Sequence, residues 1–346
     1  MVEMSKSKLT PYEEDIFKLF ESGLNLSRMN HSNILVTGST GLIGSCLTDV
    51  LMLNPHRDYH VYAAGRNLSR ARSRFSRYAD DPSFHFIEMN VTEPVHSDVR
   101  FDYIIHAASN ASPNFFQQQP VEVIKANIEG VSHLMDYGLA HGMKRMLYVS
   151  SGEIYGEGSG EAFTELSSGY IDCASVRACY PSSKRAAETL CVSYAHEYYT
   201  EAVIARLCHT FGPCFTESDN RVYAQFFRNA LRGENIVLKS KGEQYRSWIY
   251  VVDCAHAILR ILLDGQNGQA YNVADPDGNV TIAELARIVA EAAHTNVVFE
   301  IPENAFQGNT TPITKATFSV DKLKALGWQP MTPLRTGIMH SLKSRC

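Results

Sequence analysis

From residue 33 onward the chain repeats one pattern: a short apolar run, a turn, then a helix-length stretch whose apolar positions recur every three or four residues. Apolar runs over 34–37, 59–64, 85–89, 103–106, 146–150 and 202–207 predict strands, most of them separated by helix-length segments such as 43–53. Strands alternating with helices are read as parallel, so the pattern predicts an α/β fold with a doubly wound parallel sheet and ligands at the carboxyl ends of its strands. After about residue 208 the alternation loosens, and Gly212-Pro213, Asn267-Gly268 and Asp277-Gly278 mark turns between longer loops. A strand over 270–273 and a helix after Thr281 are expected to return to the sheet or flank it. The resulting division is a helical extension over 1–30, a sheet domain over 31–207, and a smaller lobe over 208–346 with a segment near 245–275 returning to the sheet domain. Ahead of the first strand, Thr10 as N-cap, Pro11 at the first turn, Glu13 closing a capping box and Gly23 as a stop predict one helix. Ile16, Leu19 and Phe20 give it a docking stripe, which fits a structural arm.

Composition adds exclusions. With 346 residues, 45% hydrophobic and 20% charged, the chain can bury a sizeable core. A formal net charge of -5 gives no electrostatic reason to expect nucleic acid, and no run of Lys and Arg suggests an anionic membrane. The eight cysteines lack the paired spacing of a zinc site or a disulfide framework and read as reduced, mostly buried thiols, so no metal is expected. The N-terminal residues carry Lys6, Lys8, Glu13, Glu14 and Asp15 without an apolar signal core, and no uncharged stretch is long enough to cross a bilayer; a cytoplasmic protein is the expectation.

The segment Val36-Thr37-Gly38-Ser39-Thr40-Gly41-Leu42-Ile43-Gly44 places glycines at G-x-x-G-x-x-G spacing between a predicted strand and a predicted helix. In that context Gly38 permits the tight turn, Gly41 lets backbone approach a pyrophosphate, and Gly44 allows close helix-to-strand packing, which is the logic of a Rossmann-type dinucleotide site. Thr40, Leu42 and Ile43 lie within the same turn and are candidate cofactor contacts. The alternative is three turn glycines without a ligand. A NAD site usually carries a carboxylate about 20 residues on. Here the second strand ends in Ala64-Gly65-Arg66-Asn67, and Arg66 could meet a 2′-phosphate, stack on adenine, or stand as an ordinary surface charge. NAD is the expected cofactor, with NADP open.

Tyr180 and Lys184 lie four residues apart, ahead of the well-patterned helix read over 185–198, a spacing that puts them on one face of a helix. A neighbouring ammonium would favour the phenolate, which could take a proton from a substrate hydroxyl as hydride leaves. Such a pair is common in structural helices too. Ser150-Ser151-Gly152-Glu153 closes the strand over 146–150, at the end of the sheet where an active site is expected. By themselves these residues read equally as a helix cap and a solvated loop acid.

The ordered set of motifs resembles the extended short-chain dehydrogenase/reductase family, in its branch of NAD-dependent epimerase/dehydratase enzymes that modify nucleotide sugars. The resemblance covers about 30–340: the Gly38 turn, His106-Ala107-Ala108, Lys125-Ala126-Asn127, Tyr148-Val149-Ser150-Ser151, Tyr180 with Lys184, Phe211-Gly212-Pro213, Arg246 through Asp253, Tyr271-Asn272-Val273, and Leu326-Gly327-Trp328-Gln329-Pro330. It implies that Ser151 hydrogen-bonds the reacting hydroxyl, Tyr180 is the acid/base and Lys184 holds the nicotinamide ribose. It further implies Asn90 and Val91 at adenine, Ala107 and Ala108 along the cofactor, and Asn127 shaping the central helix. Ser109, His209, Arg221 and Arg246 are implied substrate contacts, with Arg246 clamping a pyrophosphate or a sugar carboxylate through its planar fork. A homodimer through helices over 121–141 and 182–199 is implied as well.

The run Arg177-Ala178-Cys179-Tyr180 followed by Lys184-Arg185-Ala186-Ala187-Glu188-Thr189 most resembles the UDP-glucuronate decarboxylases. Dehydratases usually carry Thr-Asp-Glu where this chain has Ser151-Gly152-Glu153, so Gly152 removes the proton donor for water loss while Glu153 stays available. His209 stands where many members have Asn, and Cys214 where a basic residue is frequent. The leading expectation is a redox-neutral enzyme, a decarboxylase or 4-epimerase. Its alternatives are a 4,6-dehydratase, an NADPH-dependent reductase of a nucleotide-linked keto sugar, and a non-catalytic dinucleotide sensor.

Overall fold

The computed structural model describes residues 9–216, 219–301 and 313–344. Strands β1 (Asn33–Thr37), β2 (His60–Gly65), β3 (Phe84–Glu88), β4 (Tyr103–His106), β5 (Arg145–Ser151) and β6 (Ala202–Leu207) lie parallel, and Ala270–Val273 joins them beside β6. The seven-stranded order, Ala270–Val273, β6, β5, β4, β1, β2, β3, reverses direction between β1 and β4. Crossover connections leave opposite sides of the sheet there and open a crevice above the strand ends. Both faces are covered, which is why Ile34, Leu35 and Val36 in β1 and Ile104 and Ile105 in β4 are all fully buried and their sequence shows no in–out alternation.

Helices α1 (Pro11–Phe20), α2 (Leu42–Leu53), α3 (Leu68–Arg74), α4 (Pro113–Gln118), α5 (Pro120–His141) and α6 (Cys179–Glu197) fill the connections. On one face α5 and α6 pack along each other. On the other, the helix Val251–Asp264 lies between the sheet, α1 and α2, and its near-complete burial explains why it is apolar around most of its circumference. The second catalytic-type helix begins earlier than its apolar pattern suggests: α6 starts at Cys179, not near 185, and so contains both Tyr180 and Lys184. Pro181 is compatible with this because a first-turn amide has no intrahelical acceptor to lose.

In α1 the Thr10 hydroxyl accepts from the Glu13 amide while the Glu13 carboxylate accepts from the Thr10 amide. Ile16 and Leu19 are fully buried, Tyr12 donates to Asp49 at 2.9 Å, and Asp15 meets His340 at 2.6 Å, so this arm is bolted to the body by both apolar and polar contacts.

Beyond β6, the strand Tyr245–Tyr250 pairs antiparallel with Asn279–Thr281 and parallel with His209–Phe211 and Lys315–Ala316, while Ile236–Leu238 pairs with Val297–Phe299. Trp248 and Trp328 are fully buried, each such aromatic contributing on the order of 2–3 kcal/mol through removed apolar surface. Asp253 accepts the backbone amides of Met331 and Thr332 at 3.0 Å each, and its carbonyl takes the Trp328 indole proton at 3.3 Å. The late Asp253 and Gly-Trp-Gln-Pro motifs are therefore one structural strut. Among the described residues six cysteines are free thiols, five of them buried, but Cys214 is disulfide-bonded, which corrects the expectation of reduced thiols. Linear spacing does not show which cysteines a fold brings within bonding reach.

Candidate active site

The crevice above β1 and β4 is shaped by backbone. Gly38 has φ +66°, and a Cβ there would lie 2.7 Å from the Ala108 Cα and 2.8 Å from the Ala107 carbonyl oxygen, so the turn rests directly on Ala107-Ala108. A Cβ on Gly44 would stand 2.3 Å from the Gly38 carbonyl oxygen. Gly41 differs: a Cβ there would meet only the Gly38 oxygen, at 3.3 Å, so its outer side is open. Gly41 is also the N-cap of α2, and no side chain caps it. The first-turn amides, at Leu42 and Ile43, are thus left to a ligand, with the positive end of the helix dipole behind them. An open glycine, an uncapped helix and a closely packed turn together fit a dinucleotide pyrophosphate.

Around this turn the expected cofactor contacts take different positions. Thr40 flanks Gly65 at the end of β2, where a Cβ would be 3.7 Å from the Thr40 hydroxyl oxygen. Arg66 is exposed and reaches Asn110 at 3.5 Å across the mouth of the crevice, with no carboxylate partner among the described residues. Asn90 caps the turn after β3, accepting from the Thr92 amide at 3.3 Å and donating to Glu93 at 3.1 Å, while the Val91 carbonyl bonds His133 at 3.1 Å. Asn127 is fully buried, donates to Ser183 at 2.9 Å and accepts from Ser109 at 2.9 Å. Ser183 in turn donates to the Cys179 carbonyl at 2.5 Å, so Asn127 pins α5 to the first turn of α6, and Ser109 belongs to this chain of bonds.

Along the crevice lie Tyr180, Ser151, Glu153 and Lys184, brought together by β5 and α6. The Tyr180 hydroxyl is pushed up to about 12, first by burial and then by the Glu153 charge, while Ser151 through hydrogen bonding and the Arg221 and Arg177 charges pull the other way. The Lys184 Nζ donates to the Val149 carbonyl at 2.8 Å and lies 5.7 Å from the Tyr180 ring centroid. Burial also pushes the Lys184 ammonium down to about 7, against the Glu188 charge, and its field with burial drives His106 down to about 3. Desolvation of a lone ammonium outweighs one carboxylate already engaged elsewhere, since Glu188 holds Arg206 at 2.7 Å and accepts from Ser150. Ser150 is thereby structural, and Ser151 is the serine that faces Tyr180.

The far wall carries arginines. Arg221 grips Asp219 with two nitrogens, at 2.9 and 2.6 Å, and its charge reaches Tyr180. Arg246 is buried, and its guanidinium donates only to the carbonyls of Tyr245, Thr314 and Ile313, with no carboxylate in salt-bridge range among the described residues. Its pKa is lowered by burial, against the field of Glu153. His209 is exposed to the crevice and lies 4.9 Å from the Trp248 ring centroid; the crowding of the crevice walls, then the Arg246 and Arg221 charges, hold it below the ordinary imidazole value. Sequence reading assigned no role to Phe116, Arg177 or Phe318. Phe116 stacks on Tyr180 at 4.7 Å, Arg177 binds Glu153 at 2.6 Å, and the Phe318 ring fills the space beside Gly152, 2.2 Å from where a Cβ would stand. Arg177, three residues before Tyr180, had a positional signal; Phe116 and Phe318 arrive from distant segments and had none.

Fold and site together place an uncapped glycine turn suited to a dinucleotide beside Tyr180, Lys184 and Ser151 in an α/β protein. The model of the NAD dependent epimerase/dehydratase family matches residues 34–274. UDP-glucuronic acid decarboxylase 6 of Arabidopsis thaliana is 36% identical over 323 residues, covering 92% of this chain and 90% of that protein. UDP-glucuronic acid decarboxylase 1 of Xenopus tropicalis is 30% identical over 321 residues, covering 92% and 73%. Among solved structures, UDP-glucose 4-epimerase of Thermotoga maritima with UDP-glucose aligns with a TM-score of 0.77 at 25% identity over 90% of this chain and 97% of that one. The dTDP-glucose 4,6-dehydratase of Streptomyces venezuelae with NAD bound shares the fold, with a TM-score of 0.77 at 21% identity over 90% and 95%. The chain belongs to the NAD dependent epimerase/dehydratase family, and it is an NAD-dependent enzyme of nucleotide-sugar modification.

Proposed function

We propose that the chain oxidises the 4-position of a nucleotide-linked hexuronate transiently and releases its carboxyl group as carbon dioxide, acting as a UDP-glucuronate decarboxylase, a lyase. The observation that favours this choice over dehydration is Gly152 itself, with the tip of the Phe318 ring filling the space beside it: the acid that dehydration would draw on is missing there. Arg246, buried without a carboxylate partner and in the field of Glu153, supplies the cation that a sugar carboxylate or a diphosphate requires.

A dinucleotide, when bound, would supply reversible hydride acceptance. The uncapped start of α2, with Gly41, Leu42 and Ile43, would hold its pyrophosphate, and Lys184 and Tyr180 would hold its ribose. Ser151 orients the sugar 4-hydroxyl, and Tyr180 takes its proton as the 4-keto sugar forms. The 5-carboxylate, now β to a ketone, leaves as carbon dioxide with its bonding electrons entering the enolate. Glu153 handles the proton added at that carbon, and Tyr180 returns its proton as the ketone is reduced. The positive charge of an oxidised nicotinamide would join Ser151, Arg221 and Arg177 in drawing the Tyr180 hydroxyl down from about 12 toward a working range. We place the protein in the cytoplasm as a homodimer. Val121 at 60%, Val192 at 43% and Tyr198 at 52% exposure leave apolar surface on α5, on α6 and just beyond α6, which such a dimer would cover. Among the described residues no helix is long and apolar enough to cross a membrane.

The test is mass spectrometry of products from purified protein and UDP-glucuronate, first without added cofactor and then with NADPH. Loss of the mass of carbon dioxide without added reductant is the expected result. Loss of the mass of water would establish dehydration, and a two-hydrogen gain that depends on NADPH would establish a reductase.

A further inference from the structure

Arg177 stands in the single-turn segment Val176–Ala178 directly before α6, with its own amide donated to the Ser175 hydroxyl at 3.2 Å. Its guanidinium bridges two groups of the site. One nitrogen donates to Glu153 at 2.6 Å, and its carbon lies 4.8 Å from the Phe116 ring centroid. Phe116 in turn stacks on Tyr180, the planes inclined by 22°. The remaining terminal nitrogen of Arg177 is buried without an acceptor among the described residues. An orphaned buried donor is costly, and such groups are kept where the geometry serves a function.

The other groups facing Tyr180 do not do what Arg177 does. Arg221, at the N-cap of the helix Val222–Leu231, is committed to Asp219. Lys184 on α6 is turned to the Val149 carbonyl, and Tyr148 on β5 is a buried neutral phenol. Among the described residues Glu153 is the carboxylate whose charge most opposes ionisation of Tyr180, and Arg177 is bound directly to it.

We propose that Arg177 is a positioning residue for both proton-handling groups: it aims the Glu153 carboxylate, fixes the Tyr180 ring through Phe116, and offsets at Tyr180 the charge that Glu153 brings. This rests on the assignment of Tyr180 and Glu153 as the groups that move protons. The chain assigns the two tasks to one planar side chain because an ion pair alone would leave the Tyr180 ring free to turn, and a ring stack alone would leave Glu153 unbalanced.

The test reads the titration of Tyr180 by carbon NMR of dinucleotide-loaded protein carrying ring-labelled tyrosine, with Y180F identifying the resonance. R177M is expected to raise the Tyr180 midpoint by about one pH unit, about tenfold less phenolate at neutral pH. The double variant E153Q/R177M is expected to bring the midpoint back toward that of the unmodified chain. R177K, which keeps the charge and loses the fork, should hold the midpoint while kcat falls several-fold at little changed KM. It also serves as the decisive variant where R177M does not fold. An unmoved midpoint in R177M, a double variant as high as the single one, or a fully active R177K would overturn the proposal. Because the NMR reading needs no turnover, a protein that converts no nucleotide sugar would sink the functional assignment and still leave this coupling measured.

Discussion

The two halves of the crevice achieve binding by opposite means. At the dinucleotide end the working groups are backbone: Gly38 and Gly44 have no room for a Cβ, and the amides at the start of α2 are left uncapped. At the proposed sugar end they are side chains drawn from five segments: the charged Glu153 after β5, Arg177 before α6, Arg221 before the helix Val222–Leu231 and Arg246 in the strand Tyr245–Tyr250, with the imidazole of His209 after β6. The difference teaches that the first half is fixed by a local turn in which Gly38 and Gly44 have no room for a side chain, whereas the second can exchange one side chain for another and, under the proposed function, would decide which sugar is accepted.

Breaking the backbone half should have the largest effect. In Gly44→Ala the new Cβ would press on the Gly38 carbonyl, and the turn must open. Dinucleotide binding should be lost, and the fold should weaken by roughly 1–3 kcal/mol; calorimetric titration with NAD and a melting curve check both. A variant that binds NAD normally would contradict the geometry.

Breaking the sugar half should be milder and selective. Arg246→Met removes the cation that no carboxylate neutralises, and kcat/KM for UDP-glucuronate should fall by about 100-fold. Binding of NAD should be unchanged, and UDP-glucose, which lacks the carboxylate, should lose less affinity than UDP-glucuronate. Equal losses for both sugars would assign Arg246 to the diphosphate instead.

The smallest effect sits at the junction. Lys184 is buried and its ammonium is pushed down to about 7. With a folded pKa below the unfolded value of about 10.4, its contribution is fully favourable only above the unfolded value and is lost as pH falls through about 7. Lys184→Met should therefore raise the melting temperature of the chain by roughly 5 °C at pH 6. That gain should shrink as pH rises from about 7 toward about 10, because the folded lysine is by then neutral and the lysine of the unfolded chain loses its proton too. A uniform loss of stability at every pH would show that the Val149 bond, and not the charge, dominates.

The same contrast explains what the sequence made legible. The strand runs, the glycine turn and the Tyr180–Lys184 spacing are local patterns, and each could be read from neighbouring residues. The start of α6 could not, because its first turn is held by Asn127 through Ser183, a contact across 56 positions. Nor could the filling of the Gly152 site by Phe318, or the stacking of Phe116 on Tyr180, since aromatic residues in distant loops carry no signal of where they will pack. The balance of charge at Tyr180 was not legible for a related reason. Spacing put Lys184 nearby, but burial and the pull of the Val149 carbonyl decide where its proton and its charge reside.

The central claim is that one enclosed dinucleotide removes the hydride at the sugar 4-position and returns it. UDP-glucuronate deuterated at carbon 4, converted without added cofactor in ordinary water, tests it directly. The product should be the decarboxylated nucleotide sugar with deuterium kept at carbon 4, and a parallel reaction in heavy water should place one solvent deuterium at carbon 5. Loss of the carbon-4 label, or release of carbon dioxide with no dependence on bound dinucleotide, would contradict it.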